Sequence, residues 1–225
     1  MEVQLMDWGR KGYREAWDAQ ERLLAGMVQA KVAGQGGKAG QVVFVEHPPV
    51  YTIGKSGHAE NMLLGATQLE ALGAECIKVD RGGDITFHGP GQLVVYPVVD
   101  LEVLGIGVHE YVHRLEEAVI RTVAGYGIAG ERVAGATGVW IDGETPRARK
   151  ICAIGVKCSR SVTMHGLALN VNTDLRYFSY IHPCGFTDKG VASIAGETGR
   201  EVPLEEVKGR MRAALEEVFG FTLVP

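Results

Sequence analysis

Apolar residues recur along the chain with two different periods. Between residues 10 and 32, Tyr13, Trp17, Leu24, Met27, Val28 and Val32 return at near-helical spacing. Glu15, Asp18, Glu21 and Arg22 fall between them, which predicts an amphipathic helix. Over 108–125, Val108, Tyr111, Val112, Leu115, Val119, Thr122 and Val123 give a second apolar stripe, and Glu116, Glu117 and Arg121 mark its expected wet face. Leu204, Val207, Met211, Leu215 and Val218 predict a last helix. Pro203 is placed to start it, because proline's missing N–H costs nothing in a first turn. A short helix over 66–72 is closed by Gly73.

The other period is short. Residues 41–46, 76–79, 93–99, 131–133, 137–142, 150–157, 163–172 and 188–194 are brief apolar or β-branched runs, and they read as strands. Asp142-Gly143 is turn chemistry that joins two of them as a hairpin. Pro97 predicts an edge or bulged strand, since it has no N–H for a central ladder. His47-Pro48-Pro49 through Lys55 reads as a stiff connection, residues 34–40 as a flexible glycine loop and 174–183 as an aromatic loop. Strands come in runs rather than alternating with helices, so the expected class is α+β with a mixed sheet. No shift in composition divides residues 1–225, so one domain is expected.

Composition narrows the functional classes. Apolar residues make up 46% and charged residues 22% of 225, as in an ordinary soluble protein. A net charge of −4 leaves no basic footprint for nucleic acid. No apolar run reaches the roughly 18 residues of a membrane span, and the N-terminus lacks the basic and apolar regions of a leader. Cys76, Cys152, Cys158 and Cys184 are scattered with no C-x-x-C pair, so reduced thiols in a cytoplasm are expected and a metal site is not.

One stretch gathers polar side chains among glycines. Arg81-Gly82-Gly83-Asp84-Ile85-Thr86-Phe87-His88-Gly89-Pro90-Gly91-Gln92 runs into the strand at 93. A tight turn would account for the glycines, but not for Arg81, Thr86, His88 and Gln92 in one loop. A binding site would account for both. Cys184, between Pro183 and Gly185, is either a presented nucleophile or a small buried thiol. Lys150 stands at the mouth of an apolar run. It is either a solvated surface group or, beside a thiol, a partner that favours the thiolate. His47, His88, His165 and His182 each adjoin Gly or Pro. The sequence lacks a G-x-x-x-x-G-K-[ST] phosphate loop, and its glycine stretch is not G-x-G-x-x-G.

Taken in order, these residues resemble the octanoyltransferase (lipoyl(octanoyl) transferase) family. Arg81-Gly82-Gly83, Thr86, His88-Gly89-Pro90-Gly91-Gln92-Leu93 and Tyr96-Pro97 look like its signature. Lys150-Ile151 with Ile154-Gly155-Val156, and His165-Gly166 with Ala168-Leu169-Asn170, match two further motifs. Pro183-Cys184-Gly185 matches its nucleophile segment, and His47 with Pro49-Val50-Tyr51-Thr52-Ile53-Gly54 its N-terminal motif. The resemblance implies the biotin/lipoate protein ligase-like fold, with a mixed, mainly antiparallel central sheet flanked by helices. It implies transfer of an octanoyl group from octanoyl-acyl carrier protein to a lysine of lipoyl domains, as in 2-oxoacid dehydrogenase E2 subunits or the glycine cleavage H protein. It further implies a cytoplasmic enzyme, here expected to be a monomer, with no cofactor. Cys184 would be the acyl-thioester nucleophile and Lys150 its partner. Arg81, Gly82, Gly83, Asp84, Ile85, Thr86, Phe87, His88, Ala153, Ile154, Gly155, Gly166, Leu167 and Ala168 would contact the acyl group. Cys152 is expected to share a strand face with Lys150. An ATP-dependent ligase of the same fold, a non-catalytic acyl- or carrier-binding scaffold and a Cys–His hydrolase are the competing readings.

Overall fold

The computed structural model describes residues 1–182 and 189–225. The first half of the chain runs β1 (Glu2–Arg10), α1 (Tyr13–Val32), β2 (Gly40–Glu46), β3 (Val50–Ile53), α2 (Ala66–Ala71), β4 (Glu75–Lys78), β5 (Ile85–His88) and β6 (Gln92–Val99). It continues with α3 (Leu101–Leu104), α4 (Val108–Ala124), β7 (Glu131–Val133), β8 (Ala136–Ile141), β9 (Arg149–Ser159) and β10 (Val162–Asn170). Beyond residue 189 come β11 (Gly190–Val191), α5 (Ile194–Thr198), α6 (Leu204–Phe219) and β12 (Thr222–Val224).

Alternation of side chains decides the layering. Val42 and Phe44 of β2, Leu93 and Val95 of β6, and Leu167 and Leu169 of β10 point to one face of the sheet. There they meet Tyr111, Leu115 and Val119 of α4 and Val207, Met211 and Leu215 of α6. Val43 and Val45, Val94 and Tyr96, and Ala168 point to the other face, where they pack with Ala16 of α1. The strand order is β12-β1-β2-β6-β10-β9-β8-β7. The β12–β1 and β1–β2 pairs are parallel and the rest of that path is antiparallel, so the sheet is mixed, as its α+β class requires. β11 pairs in parallel with the start of β9, on the edge that β10 leaves. A separate sheet, β4-β3-β5, carries its own apolar cluster around Tyr51, Ile53, Ile85 and Phe87.

Several sequence expectations need correction. The connection after His47 contains β3, and the glycine stretch contains β5; the two pair with each other across the small sheet. Both read as loop because four apolar residues beside Pro or Gly carry too little period. β1 and β12 were not expected as strands, and the partner that pairs with each lies far away in sequence. Pro97 stands in a central strand, not an edge. The ladder between β6 and β10 ends at Val95 and Leu167, because His165 takes a left-handed φ of 58°. The Thr163 hydroxyl closes the gap: it donates to the Pro97 carbonyl at 2.8 Å and accepts from the Val99 N–H at 3.1 Å. Glu116, expected wet, is buried, where it accepts the Gly138 N–H at 3.0 Å and pairs with Arg132 at 3.2 Å. In α1 the buried line is Tyr13, Ala16 and Gln20, while Val32 lies exposed. Among the described residues, no helix is long and apolar enough to cross a membrane.

Two glycines make opposite tests of this packing. Gly40 has φ 119°, and a Cβ there would lie 2.1 Å from the Val98 carbonyl oxygen. Gly26 lies within α1 with open space around it. Gly40→Ala is expected to lower unfolding free energy by about 2 kcal/mol or more, and Gly26→Ala to raise it by about 0.5–1 kcal/mol. Urea midpoints measure both. Equal shifts of one sign would contradict the described backbone.

Candidate active site

Between the second sheet face, α1 and the small sheet lies a cavity of about 950 Å³, open mouth included. Its floor is made by three strands in register. Asn170 stands opposite Gln92, Ala168 opposite both Ala153 and Val94, and Gly166 opposite Gly155. The middle of the floor is therefore small and apolar. Ile85, Thr86 and His88 from β5 and Tyr13 from α1 complete the walls.

A directed hydrogen-bond chain ties the walls together. Arg81 donates from Nη2 to the carbonyl and to the hydroxyl of Thr52, at 2.7 and 2.8 Å. The Thr52 hydroxyl then has its proton for His88 Nε2, at 3.3 Å. His88 Nδ1–H donates to Gln92 Oε1 at 2.9 Å, and Gln92 Nε2 donates to Asn170 Oδ1 at 2.9 Å and to the Phe87 carbonyl at 3.1 Å. Asn170 Nδ2 ends the chain on the Ala192 carbonyl at 3.0 Å. A guanidinium can only donate and a carbonyl can only accept, so every group between them has one consistent orientation. His88 must be neutral and carry its proton on Nδ1. Burial, reinforced by the nearby His47 and Arg81, holds its pKa well below the ordinary histidine value.

Two other histidines are likewise neutral. His47 donates from Nδ1 to the Lys11 carbonyl at 2.7 Å and accepts the Tyr96 hydroxyl at 2.8 Å; burial lowers its pKa to about 4. His165 donates from Nε2 to Asp80 at 2.9 Å, and its backbone N–H donates to Gln20 at 2.8 Å. Burial lowers its pKa to about 4 despite Asp80.

Lys150 reaches this cavity through an irregularity in β9. Val139 pairs with Cys152, but Trp140 pairs with Lys150, so Ile151 is an extra residue, a β-bulge. Ile151 and Cys152 both enter the core, and Lys150 is re-aimed to the side of Ala153. Cys152 therefore does not share a face with Lys150, contrary to plain alternation, and burial pushes its thiol pKa up. The Lys150 ammonium donates to the Thr137 carbonyl at 3.1 Å and stands 4.5 Å from the Trp140 ring centroid. Lys189 approaches the same ring at 5.0 Å.

Of the residues anticipated from sequence, Arg81, Ile85, Thr86, His88, Lys150, Ala153, Ile154, Gly155, Gly166, Leu167 and Ala168 line this cavity. Four face elsewhere. Gly82 and Gly83 line a separate groove beside the start of α4. Asp84 accepts the Asn61 side-chain amide at 2.7 Å. Phe87 stacks on Tyr177 at 4.5 Å in the small sheet's core, because neighbours in a strand face opposite ways. Cys184 lies outside the described residues. Tyr13 and Trp140 line the cavity without having been singled out for it, as does His165 from a run that read as strand or pocket lining. Trp140 meets Lys150 only through strand pairing, which no local pattern encodes.

The neutral histidines predict a pH dependence of stability. His47 and His165 ionise near 6.5 when unfolded and near 4 when folded. Below about pH 6.5 the unfolded chain takes up protons that the folded chain refuses, so stability is full above that pH and falls towards 4. The loss is up to about 1.4 kcal/mol per pH unit for each group. Melting temperatures between pH 7.5 and 4.5 measure it. A flat profile would refute the neutral assignments.

Comparison with known proteins places this geometry. A family model of the lipoyl protein ligase A/B catalytic domain matches residues 12–216. An octanoyltransferase of Bacteroides thetaiotaomicron is 57% identical over 215 residues, covering 96% of this chain and 94% of that protein. The fold resembles the bipartite lipoate protein ligase of an archaeal lipoylation system from Thermoplasma acidophilum, with TM-score 0.73, 18% identity, and coverage of 100% of this chain and 86% of that one. It resembles biotin protein ligase from Aquifex aeolicus more distantly, with TM-score 0.53, 12% identity, and coverage of 98% and 70%. These two likenesses concern the fold alone. The chain belongs to the lipoyl protein ligase A/B catalytic-domain family and, within it, to the octanoyltransferases, which are acyltransferases.

Proposed function

We propose that the protein moves an octanoyl group from octanoyl-acyl carrier protein to a lysine of lipoyl domains, such as those of E2 subunits or the glycine cleavage H protein, in two thioester-linked steps. The supporting observation is the cavity itself: a small, apolar floor that leads to Lys150, with Lys189 beside it. β11, which follows the Cys184 segment, runs beside that lysine, with Val191 opposite it and the Ala192 N–H donating to its carbonyl at 2.9 Å.

In the first step the Cys184 thiolate, its proton already held by the Lys150 ammonium, attacks the carrier thioester carbonyl. The carrier thiolate leaves and takes the proton back from Lys150. Exchange of one thioester for another is nearly balanced, so no nucleotide is consumed. In the second step the neutral amine of the acceptor lysine attacks the octanoyl-enzyme. Lys150 accepts the amine's proton and returns one to the departing Cys184 thiolate. The neutral histidines of the wall orient and desolvate without competing for these protons.

Incubation with octanoyl-acyl carrier protein followed by intact-mass analysis tests the route. One octanoyl adduct is expected, lost in Cys184→Ser, kept in Cys158→Ser, and discharged by added lipoyl domain without ATP. Lys150→Met is expected to slow adduct formation by at least about 100-fold, the lower range of a positioned acid–base group. Full transfer by Cys184→Ser, or transfer that requires ATP, would overturn the proposal.

A further inference from the structure

We infer that Arg81, laid across Gly155, is the end wall of the acyl channel and limits the acyl group to medium length. The inference rests on the cavity's being an acyl channel, as proposed above, and adds what sets its depth.

The floor has a direction. Lys150 stands at the Asn170 end of the three strands, and Gly166 with Gly155 marks the other end. Four residue steps separate Asn170 from Gly166, about 13 Å at about 3.3 Å per residue. Ala168 and Ala153 lie midway, and their small side chains leave room for methylenes against Val94.

At Gly155 the room ends. A Cβ there would lie 2.8 Å from the Gly82 carbonyl oxygen, 3.1 Å from Arg81 Cδ and 3.4 Å from Arg81 Nη1. The arginine side chain thus rests directly on the strand, with no layer left for a ligand between them. Its position is fixed from two sides. The guanidinium donates to Thr52 in the small sheet and to the Gly82 carbonyl at 2.9 Å, while the Gly82 N–H donates to the Val156 carbonyl at 2.9 Å. A side chain bonded to the small sheet, on a backbone bonded to the large one, cannot swing aside for a longer chain.

The lengths agree. Carbon–carbon bonds of about 1.5 Å advance a zigzag chain by about 1.25 Å each, so an octanoyl chain spans about 9 Å and a dodecanoyl chain about 14 Å. The first, with its terminal methyl, fits between Lys150 and Arg81. The second runs into a charged, hydrogen-bonded wall, where burying a methyl gains nothing and displacing Arg81 breaks its bonds.

Binding of free fatty acids from six to twelve carbons, measured by calorimetry, tests this without relying on turnover. In the wild type, affinity should rise about fourfold with each methylene through eight carbons and level or fall between ten and twelve. In Arg81→Ala, checked for folding by circular dichroism, the rise should continue through ten and twelve carbons. Ala168→Val narrows mid-floor without touching the polar wall, and its rise should stop at six. A wild-type affinity that climbs through twelve carbons overturns the end wall. So does a break that stays at the wild-type length in Ala168→Val or in folded Arg81→Ala. If no fatty acid of any length binds, the acyl-channel reading itself falls, and the end wall with it.

Discussion

Everything around the cavity depends on the buried polar chain from Arg81 to Ala192. It crosses from the small sheet to the large one and ends on the backbone beside β11. Such a chain is demanding. Each buried group left without its partner costs about 1–3 kcal/mol, so a half-made network would be worse than an apolar wall. Made completely, it lets His88, Gln92 and Asn170 line the cavity without bare polar atoms facing it. It also leaves no freedom in the protonation of His88. That constraint explains why the wall can be rich in histidine and still be chemically quiet near neutral pH.

The bulge at Ile151 carries the other half of the design. Strict alternation would send Lys150 into the core with Cys152, where an ammonium would have to be desolvated. One extra residue reverses the phase of the strand and turns the lysine towards Trp140. Gly138 lets the two strands approach at the bulge: the residue has φ 118°, and a Cβ there would lie 2.5 Å from the Cys152 carbonyl oxygen. Glu116 holds that glycine's N–H from α4. A helix that never touches the cavity thus shapes the strand against which the lysine rests.

How much of this could be read from the chain follows a physical line. Long amphipathic helices such as α4 and α6 announced themselves, because a 3.6-residue period accumulates over several turns. The strands around Val43, Val95 and Leu167 were visible for their β-branched or apolar runs. β3 and β5 were not, since four residues flanked by proline or glycine hold barely two periods. The site was legible as motifs, not as geometry. Arg81, His88, Lys150 and the two small-residue runs stood out, but their neighbours Trp140 and His165 join them only through registers set over long sequence separations. Phe87 turns from the cavity because a strand presents Thr86 and His88 to one side and Phe87 to the other, while Asp84, just before the strand, is taken up by Asn61. The same rule, interrupted by one bulge, misplaced Cys152.

The closure of the segment beyond β10 has an evolutionary consequence. The Val171 carbonyl receives the Ala195 N–H at 2.8 Å, while the Val171 and Asn172 N–H groups both donate to the Gly91 carbonyl. The stretch from 172 to 194 therefore leaves and rejoins the fold at one place. Doubling the length of such a stretch costs only about 0.6 kcal/mol in closure entropy. Lineages can change its length while Tyr177 against Phe87, and Val191 and Ala192 along Lys150, stay where they are. The fold thus lets length vary outside the paired strands that floor the cavity.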